Sequence, residues 1–257
     1  MSLVNKMSPQ HSHWIMLVEK WQYILYQMNH VISKYDLGGN VLEIGCGRRG
    51  WFSLIVKTYF DSFVITTDVS KEKVHKAKEI AQALGIASDD YVVADAASLP
   101  FVKGVFHKVI GNAVLHHVLK NIETVAEEIF RATKEDGWGL FTGEIVASCP
   151  IGWLWKNLVL NKIPGEGIAT KDSWKKAFCK AGFTNVDIIR ENRSGYSSSI
   201  LRDLYYKITR YFPEEIVTSL LITSITIVFN KATYGRAGEP THAYYKVIRE
   251  QQAKENL

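Results

Sequence analysis

Residues 41–50 read Val-Leu-Glu-Ile-Gly-Cys-Gly-Arg-Arg-Gly, and this stretch decides the fold. Its first four residues have the apolar character of a short buried strand, and residues 51–60 have the composition of a helix packed behind it. Gly45, Gly47 and Gly50 lie in the turn between them, where missing side chains let a ligand approach the backbone and the free N–H groups at the helix start. The stretch therefore predicts a strand, a glycine turn and a helix that bind a nucleotide-like ligand.

Strands and helices alternate along the chain on either side of this turn. Strands are predicted at residues 41–44, 63–67, 91–93, 107–111, 138–145, 183–189 and 222–230, and helices between them at 51–60, 71–84, 118–133 and 172–181. A turn at Asp136-Gly137 precedes the fifth strand. Alternation at this spacing indicates a sheet covered on both faces. We predict an α/β fold, a doubly wound, mostly parallel, seven-stranded Rossmann-like sheet.

The length of 257 residues fits a single domain with insertions. We predict that the domain has a core, a helical, aromatic-rich substrate cap and a charged tail helix. Its predicted parts are a core at about 38–146 and 170–191 with the last strand at 221–231, a cap made of an N-terminal helix at 12–36 and insertions at 147–169 and 192–220, and a tail helix at 232–257.

Composition excludes several classes of protein. The net charge of +5 is not concentrated in Lys/Arg runs, so nucleic acid is not an expected partner. Three widely spaced cysteines suggest neither a disulfide framework nor a zinc site, and no metal is expected. The first residues lack a signal-peptide apolar run, and polar residues interrupt the longest apolar stretch. We expect a cytoplasmic protein without a membrane span, either a monomer or a homodimer.

Acidic residues stand where the first three strands end. Glu43 lies in the end of the first strand, Asp68 ends the second, and Asp95 closes the third. Glu43 and Asp95 suit a zwitterionic ligand with an amino group. The glycines alone do not decide the ligand, because Gly50 also completes the Gly-x-Gly-x-x-Gly spacing of a dinucleotide site.

Residues 40–144 resemble the class I S-adenosylmethionine-dependent methyltransferase family, in its small-molecule, methyltransferase type 11-like branch. Four elements occur in the family's order: the Val-Leu-Glu-Ile-Gly-Cys-Gly motif, Asp68, Ala-Asp-Ala followed by Leu-Pro-Phe, and the segment 109–118. Members often carry a third motif glycine one position earlier than Gly50. The resemblance implies S-adenosylmethionine as the cofactor.

The resemblance also implies roles for individual residues. Gly45 and Gly47 would line the methionine part, and Cys46 would be a small residue of the same turn. Asp68 would accept bonds from the ribose hydroxyls. Val69 and Ala96 would lie on either side of the adenine ring, and Asp95 would bind the adenine amino group. Asn112 would lie near the sulfonium.

Methyl transfer is an in-line displacement, so the protein must align the acceptor, exclude water and remove any acceptor proton. The string Leu115-His116-His117 follows the fourth strand, at the edge where open α/β sheets bind ligands. By analogy with related methyltransferases we favour His116 over His117 as the catalytic base. The alternative is a hydrogen-bonded loop histidine that shapes the pocket. Candidate substrate contacts are Tyr23, His117, Trp153, Trp155 and Tyr205.

The sequence thus predicts methyl transfer to a small or medium-sized, partly apolar acceptor, with oxygen, nitrogen and carbon acceptors all open. Asn112 is not followed by the Pro-Pro-aromatic string of enzymes that methylate nucleobase amines. Two other functions stay open. One is a nicotinamide-dependent oxidoreductase on a Rossmann fold, and the other is a catalytically silent methyltransferase-like partner protein.

Overall fold

The computed structural model describes residues 34–86, 89–147, 169–190 and 222–231. Within these ranges the chain alternates between strands and helices, with two short 3₁₀ turns after the fourth strand. The elements are β1 (Gly39–Ile44), α1 (Trp51–Tyr59), β2 (Ser62–Asp68), α2 (Lys71–Ala83), β3 (Asp90–Val93), β4 (Phe106–Asn112), 3₁₀ turns at Leu115–His117 and Leu119–Asn121, α3 (Ile122–Ala132), β5 (Thr133–Ala147), α4 (Lys171–Ala181), β6 (Asn185–Arg190) and β7 (Ile222–Asn230).

Seven strands form one sheet in the order β3-β2-β1-β4-β5-β7-β6. Strands β1 to β5 pair in parallel, and β7 runs antiparallel to both β5 and β6. The strand order reverses direction at β1 and β4, so a crevice opens beyond their carboxyl ends. This confirms the predicted doubly wound, mostly parallel sheet.

Alternate residues of the central strands pack into two separate hydrophobic clusters, one on each face of the sheet. Val41 of β1 packs in the cluster that holds α1 and α2, whereas its neighbour Leu42 packs in the cluster that holds α3 and α4. Ile110 and Val109 of β4 divide between the same two clusters. Helices therefore cover both faces, which explains why the central strands read as almost continuous apolar runs.

Two predicted boundaries around the fifth strand differ from the structure. The chain passes through 3₁₀ turns before α3 begins at Ile122, not at residue 118. Strand β5 begins at Thr133, where the sequence predicts the last helical residue, because Thr133 pairs with Phe106 of β4. The predicted turn at Asp136-Gly137 lies inside β5, where the β4–β5 register shifts. Pairing with a neighbouring strand thus overrides the local turn signal.

Several predicted parts lie outside the described residues. These are the N-terminal helix, the tail helix, most of both insertions, and the candidate substrate residues Tyr23, Trp153, Trp155 and Tyr205. No helix among the described ranges is long and apolar enough to cross a membrane.

Candidate functional site

The glycine turn after β1 packs closely against the turn after β4. Gly45 adopts φ 68°, and a Cβ built there would lie 2.1 Å from Cγ2 of Val114. Gly47 adopts φ 60°, and nothing lies within 4 Å of a Cβ at that position. Gly45 is therefore required for contact between two protein segments, whereas Gly47 leaves bare peptide groups facing open space.

Asp68, at the end of β2, holds the glycine turn from the other side. Its Oδ2 accepts a 3.0 Å hydrogen bond from the Gly47 N–H, and its Oδ1 accepts a 2.9 Å bond from the Ser70 N–H. The Lys73 ammonium lies 3.9 Å from Oδ1. The carboxylate is 5% exposed and lines a cavity. Asp68 thus joins the first two strand ends at a point that a ligand can reach.

That cavity occupies the crevice beyond β1, β2 and β4 and has a volume of about 590 Å³. This volume lies within the usual range for small-molecule sites. The structure brings most of the predicted site residues together in its wall. They are Gly45, Cys46, Gly47, Asp68, Val69, Asp95, Ala96, Asn112 and His117.

Glu43 makes a different contact from the one predicted. Its carboxylate is 2% exposed and lies behind the glycine turn, where Oε2 accepts a 3.3 Å bond from the Ser53 N–H and a short bond from the Ser53 hydroxyl. The Ser53 hydroxyl also lies 2.5 Å from the Thr66 hydroxyl. Burial, with Asp68 nearby, raises the pKa of Glu43 to about 7, although the Ser53 bonds oppose this. Glu43 therefore supports the start of α1 beneath the turn.

Cys46 has the predicted role of a small residue in the turn. Its N–H donates to the Thr67 carbonyl at 2.9 Å, and its thiol donates to the Gly47 carbonyl at 3.3 Å. Burial and the nearby Glu43 and Asp68 raise the pKa of the thiol far above its usual value. This environment disfavours the thiolate, which is the form of cysteine that acts as a nucleophile.

The cavity wall after β3 contains a small apolar residue beside a carboxylate. Ala96 is buried, whereas Val69, which follows β2 and also lines the cavity, is exposed. The Asp95 side chain is exposed and accepts a 2.9 Å bond from the Ala97 N–H. Strand β3 ends at Val93, so Asp95 stands two residues beyond the strand. This arrangement suits a planar ring that presents a donor at its edge.

The wall after β4 is held rigidly to β5. The Asn112 amide donates to the Thr142 hydroxyl at 2.8 Å and to the Thr142 carbonyl at 3.2 Å, and the Ala113 N–H donates to the same carbonyl at 2.8 Å. Ala113 adopts φ 51°, the one left-handed non-glycine residue among those described. Such strain persists only where the surrounding contacts fix the backbone.

The two histidines of this wall face different surroundings. His117 is exposed and lines the cavity. His116 is 6% exposed, and its Nδ1 lies 2.9 Å from Oε2 of Glu144. The two imidazole centroids are 4.1 Å apart. The histidine favoured from the sequence is therefore the one behind the wall, and its neighbour touches the cavity.

Glu144 of β5 was missed by the sequence reasoning. Its Oε1 accepts bonds from the Val114 and Leu115 N–H groups at 2.8 and 3.0 Å, and its Oε2 accepts one from the His116 N–H at 3.1 Å. Burial alone would raise the pKa of Glu144, but the charge and hydrogen bond of His116 and the backbone donors lower it. The available signal was an acid within the otherwise uncharged end of a core strand.

Cations outnumber carboxylates in the cavity wall. Besides Asp68 and Asp95, the charged lining residues are Arg48, Arg49, Lys73 and Lys120. Arg48 pairs with Glu72 at 2.8 Å, and both side chains are well exposed. In the described part of the chain, no group of three or more His, Cys, Asp or Glu residues is arranged to hold a metal ion.

Comparison with known proteins agrees with this geometry. Residues 42–141 match the family described as "Methyltransferase domain". The fatty-acid O-methyltransferase of Mycolicibacterium smegmatis is 26% identical over 122 residues, which span 47% of this chain and 43% of that enzyme. The match therefore covers less than half of the relative's length.

Solved structures share the fold at low sequence identity. Geranyl diphosphate C-methyltransferase from Streptomyces coelicolor, solved with Mg²⁺, geranyl diphosphate and S-adenosyl-L-homocysteine, superposes with a TM-score of 0.61 at 16% identity, covering 88% of this chain and 86% of that one. The cyclase SpnF superposes with a TM-score of 0.62 at 19% identity, covering 88% and 85%. The glycine turn and the strand-end residues Asp68, Asp95 and Asn112 all lie within residues 42–141, the part of the chain that matches the methyltransferase domain family.

Proposed function

We propose that this chain transfers the methyl group of S-adenosylmethionine to a small or medium-sized, partly apolar acceptor that carries an anionic group. The observation that carries the proposal is the cavity in which the bare Gly47 peptide, the Asp68 carboxylate and the wall after β4 meet. The family match over residues 42–141 supports the reaction class, and the charges in the cavity wall support the acceptor class.

The residues present fit the cofactor. Each Asp68 oxygen accepts one backbone N–H and retains a lone pair, so the carboxylate can also accept ribose hydroxyls. The open space beside Gly47 admits the methionine part. Val69 and Ala96 would flank adenine beside Asp95, and Asn112 would stand near the sulfur. When bound, the cofactor supplies an electrophilic methyl group on a sulfonium.

The excess of cations in the wall favours an acceptor with negative charge. The cofactor's carboxylate can use one of the four cations, while Lys73 faces Asp68 and Arg48 faces Glu72. The names of two similar proteins refer to amphipathic acids: a fatty acid in one and geranyl diphosphate in the other. A long-chain carboxylate or an isoprenoid diphosphate therefore fits the proposal.

The acceptor decides whether a base is needed. A carboxylate oxygen attacks the methyl carbon without losing a proton, so the protein has only to align it and exclude water. A hydroxyl or carbon acceptor must lose one proton, and the histidine pair His116–His117 is the proposed acceptor of that proton. Because His117 lines the cavity and His116 lies against it with a ring-centroid distance of 4.1 Å, His117 would contact the acceptor.

Calorimetric titration with S-adenosylhomocysteine tests the cofactor site. Asp68→Asn should weaken binding by about 1 to 3 kcal/mol because it removes a charge-assisted acceptor. Asp61→Asn is the matched control, since Asp61 is exposed and immediately precedes the opposite end of the same strand. Equal affinities for the two variants would refute the ribose role of Asp68.

Transfer of radiolabelled methyl from S-adenosylmethionine tests the acceptor class. Long-chain fatty acids and isoprenoid diphosphates should become labelled, and the corresponding uncharged alcohols should be poorer acceptors. A protein that binds S-adenosylhomocysteine but labels the alcohols better would contradict the anionic acceptor. Weak cofactor binding with no turnover on any acceptor would instead indicate the catalytically silent alternative.

A further inference from the structure

We infer that Glu144 is a positioning residue for methyl transfer: its carboxylate fixes the turn 113–117, which forms one wall of the cavity. The inference rests on the proposed function of that cavity. Glu144 lies near the carboxyl end of β5 with none of its surface exposed.

Glu144 accepts the hydrogen bonds of the three central residues of this turn. Three successive N–H groups, from Val114 to His116, converge on its two oxygens at 2.8 to 3.1 Å, and the His116 imidazole adds a fourth bond at 2.9 Å. An ionised carboxylate has no hydrogen to donate and about four lone-pair sites, which matches four donors. A glutamine amide would instead turn two N–H donors toward some of these groups.

The turn held in this way determines the shape of the cavity. It holds Ala113 in its left-handed conformation at the cavity edge and presses Val114 against Gly45 of the cofactor turn. The His117 N–H donates to the Val114 carbonyl at 3.1 Å, so the position of His117 depends on the same turn. Loosening the turn would therefore move residues that line both the cofactor side and the acceptor side.

Glu144 also fixes the protonation pattern of His116. A carboxylate can only accept, so the His116 Nδ1 at 2.9 Å must carry a hydrogen. That leaves Nε2 as the nitrogen that gains or loses a proton. The adjacent negative charge favours the protonated ring.

Stability alone would not require a charged pair at this position. Replacing both partners of a buried ion pair by apolar groups of similar volume is often neutral or stabilising, because removing two charges from water is costly. Removing one partner alone is costly, because the other partner is left without its counterpart. A positioning role predicts functional effects that a loss of stability alone would not produce.

The test compares Glu144→Gln and Glu144→Asp with the wild-type chain by two measurements. The first is the affinity for S-adenosylhomocysteine by calorimetry, and the second is the pH titration of the imidazoles in two-bond ¹H–¹⁵N spectra, with His116→Gln identifying the His116 signals. Lys231→Met is the stability control. The Lys231 ammonium is buried against the Phe130 and Thr133 carbonyls, at the opposite end of β5.

We expect Glu144→Gln to weaken S-adenosylhomocysteine binding about tenfold, the equivalent of one hydrogen bond to a charged group. His116 should lose its proton at lower pH than in the wild type. Glu144→Asp should keep most of the titration because it retains the charge, and it carries the test if the glutamine variant does not fold. Lys231→Met should lower the thermal midpoint without changing either readout.

Two results would overturn the inference. One is unchanged affinity together with an unchanged His116 titration in Glu144→Gln, and the other is an equal loss of affinity in Lys231→Met. Failure of the wild-type chain to bind S-adenosylhomocysteine is a separate result that would reject the proposed function itself. The imidazole spectra would still show whether Glu144 sets the protonation of His116.

Discussion

Two buried glutamates support the two halves of the site, and their environments drive their pKa values in opposite directions. Glu43 beneath the glycine turn accepts hydrogen bonds from one residue, Ser53, and its pKa is raised to about 7. Glu144 beneath the β4 turn accepts from three backbone N–H groups and an imidazole, and its pKa is lowered. Burial is comparable, so the number and charge of the donors decide whether a buried carboxylate stays ionised.

The comparison separates two kinds of support. The glycine turn rests on a carboxyl group that is only partly ionised at neutral pH, so much of its support comes from Asp68, which bonds the Gly47 N–H. The β4 turn rests on a permanent negative charge at neutral pH. Substitutions and pH should therefore affect the two halves differently.

The largest expected difference is in stability at pH 7.5. Glu144→Leu should lower the free energy of unfolding by about 4 kcal/mol, because it leaves three buried backbone N–H groups and the His116 Nδ1–H without their acceptor. Glu43→Leu should lower the free energy of unfolding by clearly less, because it leaves only the Ser53 hydroxyl and the Ser53 N–H without their acceptor. Urea unfolding of both variants measures the difference, and equal losses would contradict the comparison.

The next largest effect is a pH dependence of the unfolding free energy that is caused by Glu43. Its pKa is about 7 in the folded chain against an ordinary value of 4.5, so between these values the folded state holds a proton that the unfolded state has released. Raising the pH through this window should remove about 3 kcal/mol of stability. The difference in unfolding free energy between wild type and Glu43→Gln, measured from pH 4 to 8, gives this contribution.

Glu144 should affect the pH dependence of stability in the opposite direction from Glu43. Its folded pKa lies below the ordinary value, so its contribution is present above pH 4.5 and is lost as the pH falls through the folded pKa. A stability difference between wild type and Glu144→Gln that grew with rising pH above 7 would contradict this assignment.

A smaller effect distinguishes Gly45, which contacts the β4 turn, from Gly47, which faces open space. Gly45→Ala should cost about 2 kcal/mol and weaken cofactor binding, because the new methyl group would overlap Val114 and the backbone is left-handed. Gly47→Ala meets no atom within 4 Å and should cost about 1 kcal/mol from backbone strain. Its methyl group should still weaken S-adenosylhomocysteine binding. Thermal unfolding and calorimetry on both variants test this, and identical stabilities would argue against the Gly45–Val114 contact.

The smallest effect is expected at the cavity rim. Arg48→Ala removes an ion pair whose two side chains are 62% and 71% exposed, so stability should change by less than about 0.5 kcal/mol. Any larger change in the free energy of urea unfolding would mean that the Arg48–Glu72 ion pair also stabilises the turns after β1 and β4. An effect on acceptor KM alone would support a role in binding the anionic group.

Local sequence patterns were sufficient to predict the architecture and the positions of most residues in the cavity wall. Apolar runs identified all seven strands, and the glycine spacing located the turn, because both depend on residues adjacent in sequence. Asp68 and Asn112 could be placed at the cavity for the same reason: each ends a strand, and parallel strand ends meet at one edge of a sheet. Their expected ligand contacts came from the family resemblance. The start of β5 could not be predicted, since Thr133 becomes a strand residue only through pairing with Phe106.

Sequence patterns alone were enough to predict a doubly wound sheet, a glycine turn and most side chains of the proposed methyltransferase site. Only the tertiary structure decided which buried carboxyl group is charged and which histidine faces the cavity. The physical reason is distance along the chain. The donors that set the state of Glu144 come from a turn 28 to 30 residues earlier, and no local pattern around Glu144 encodes that contact.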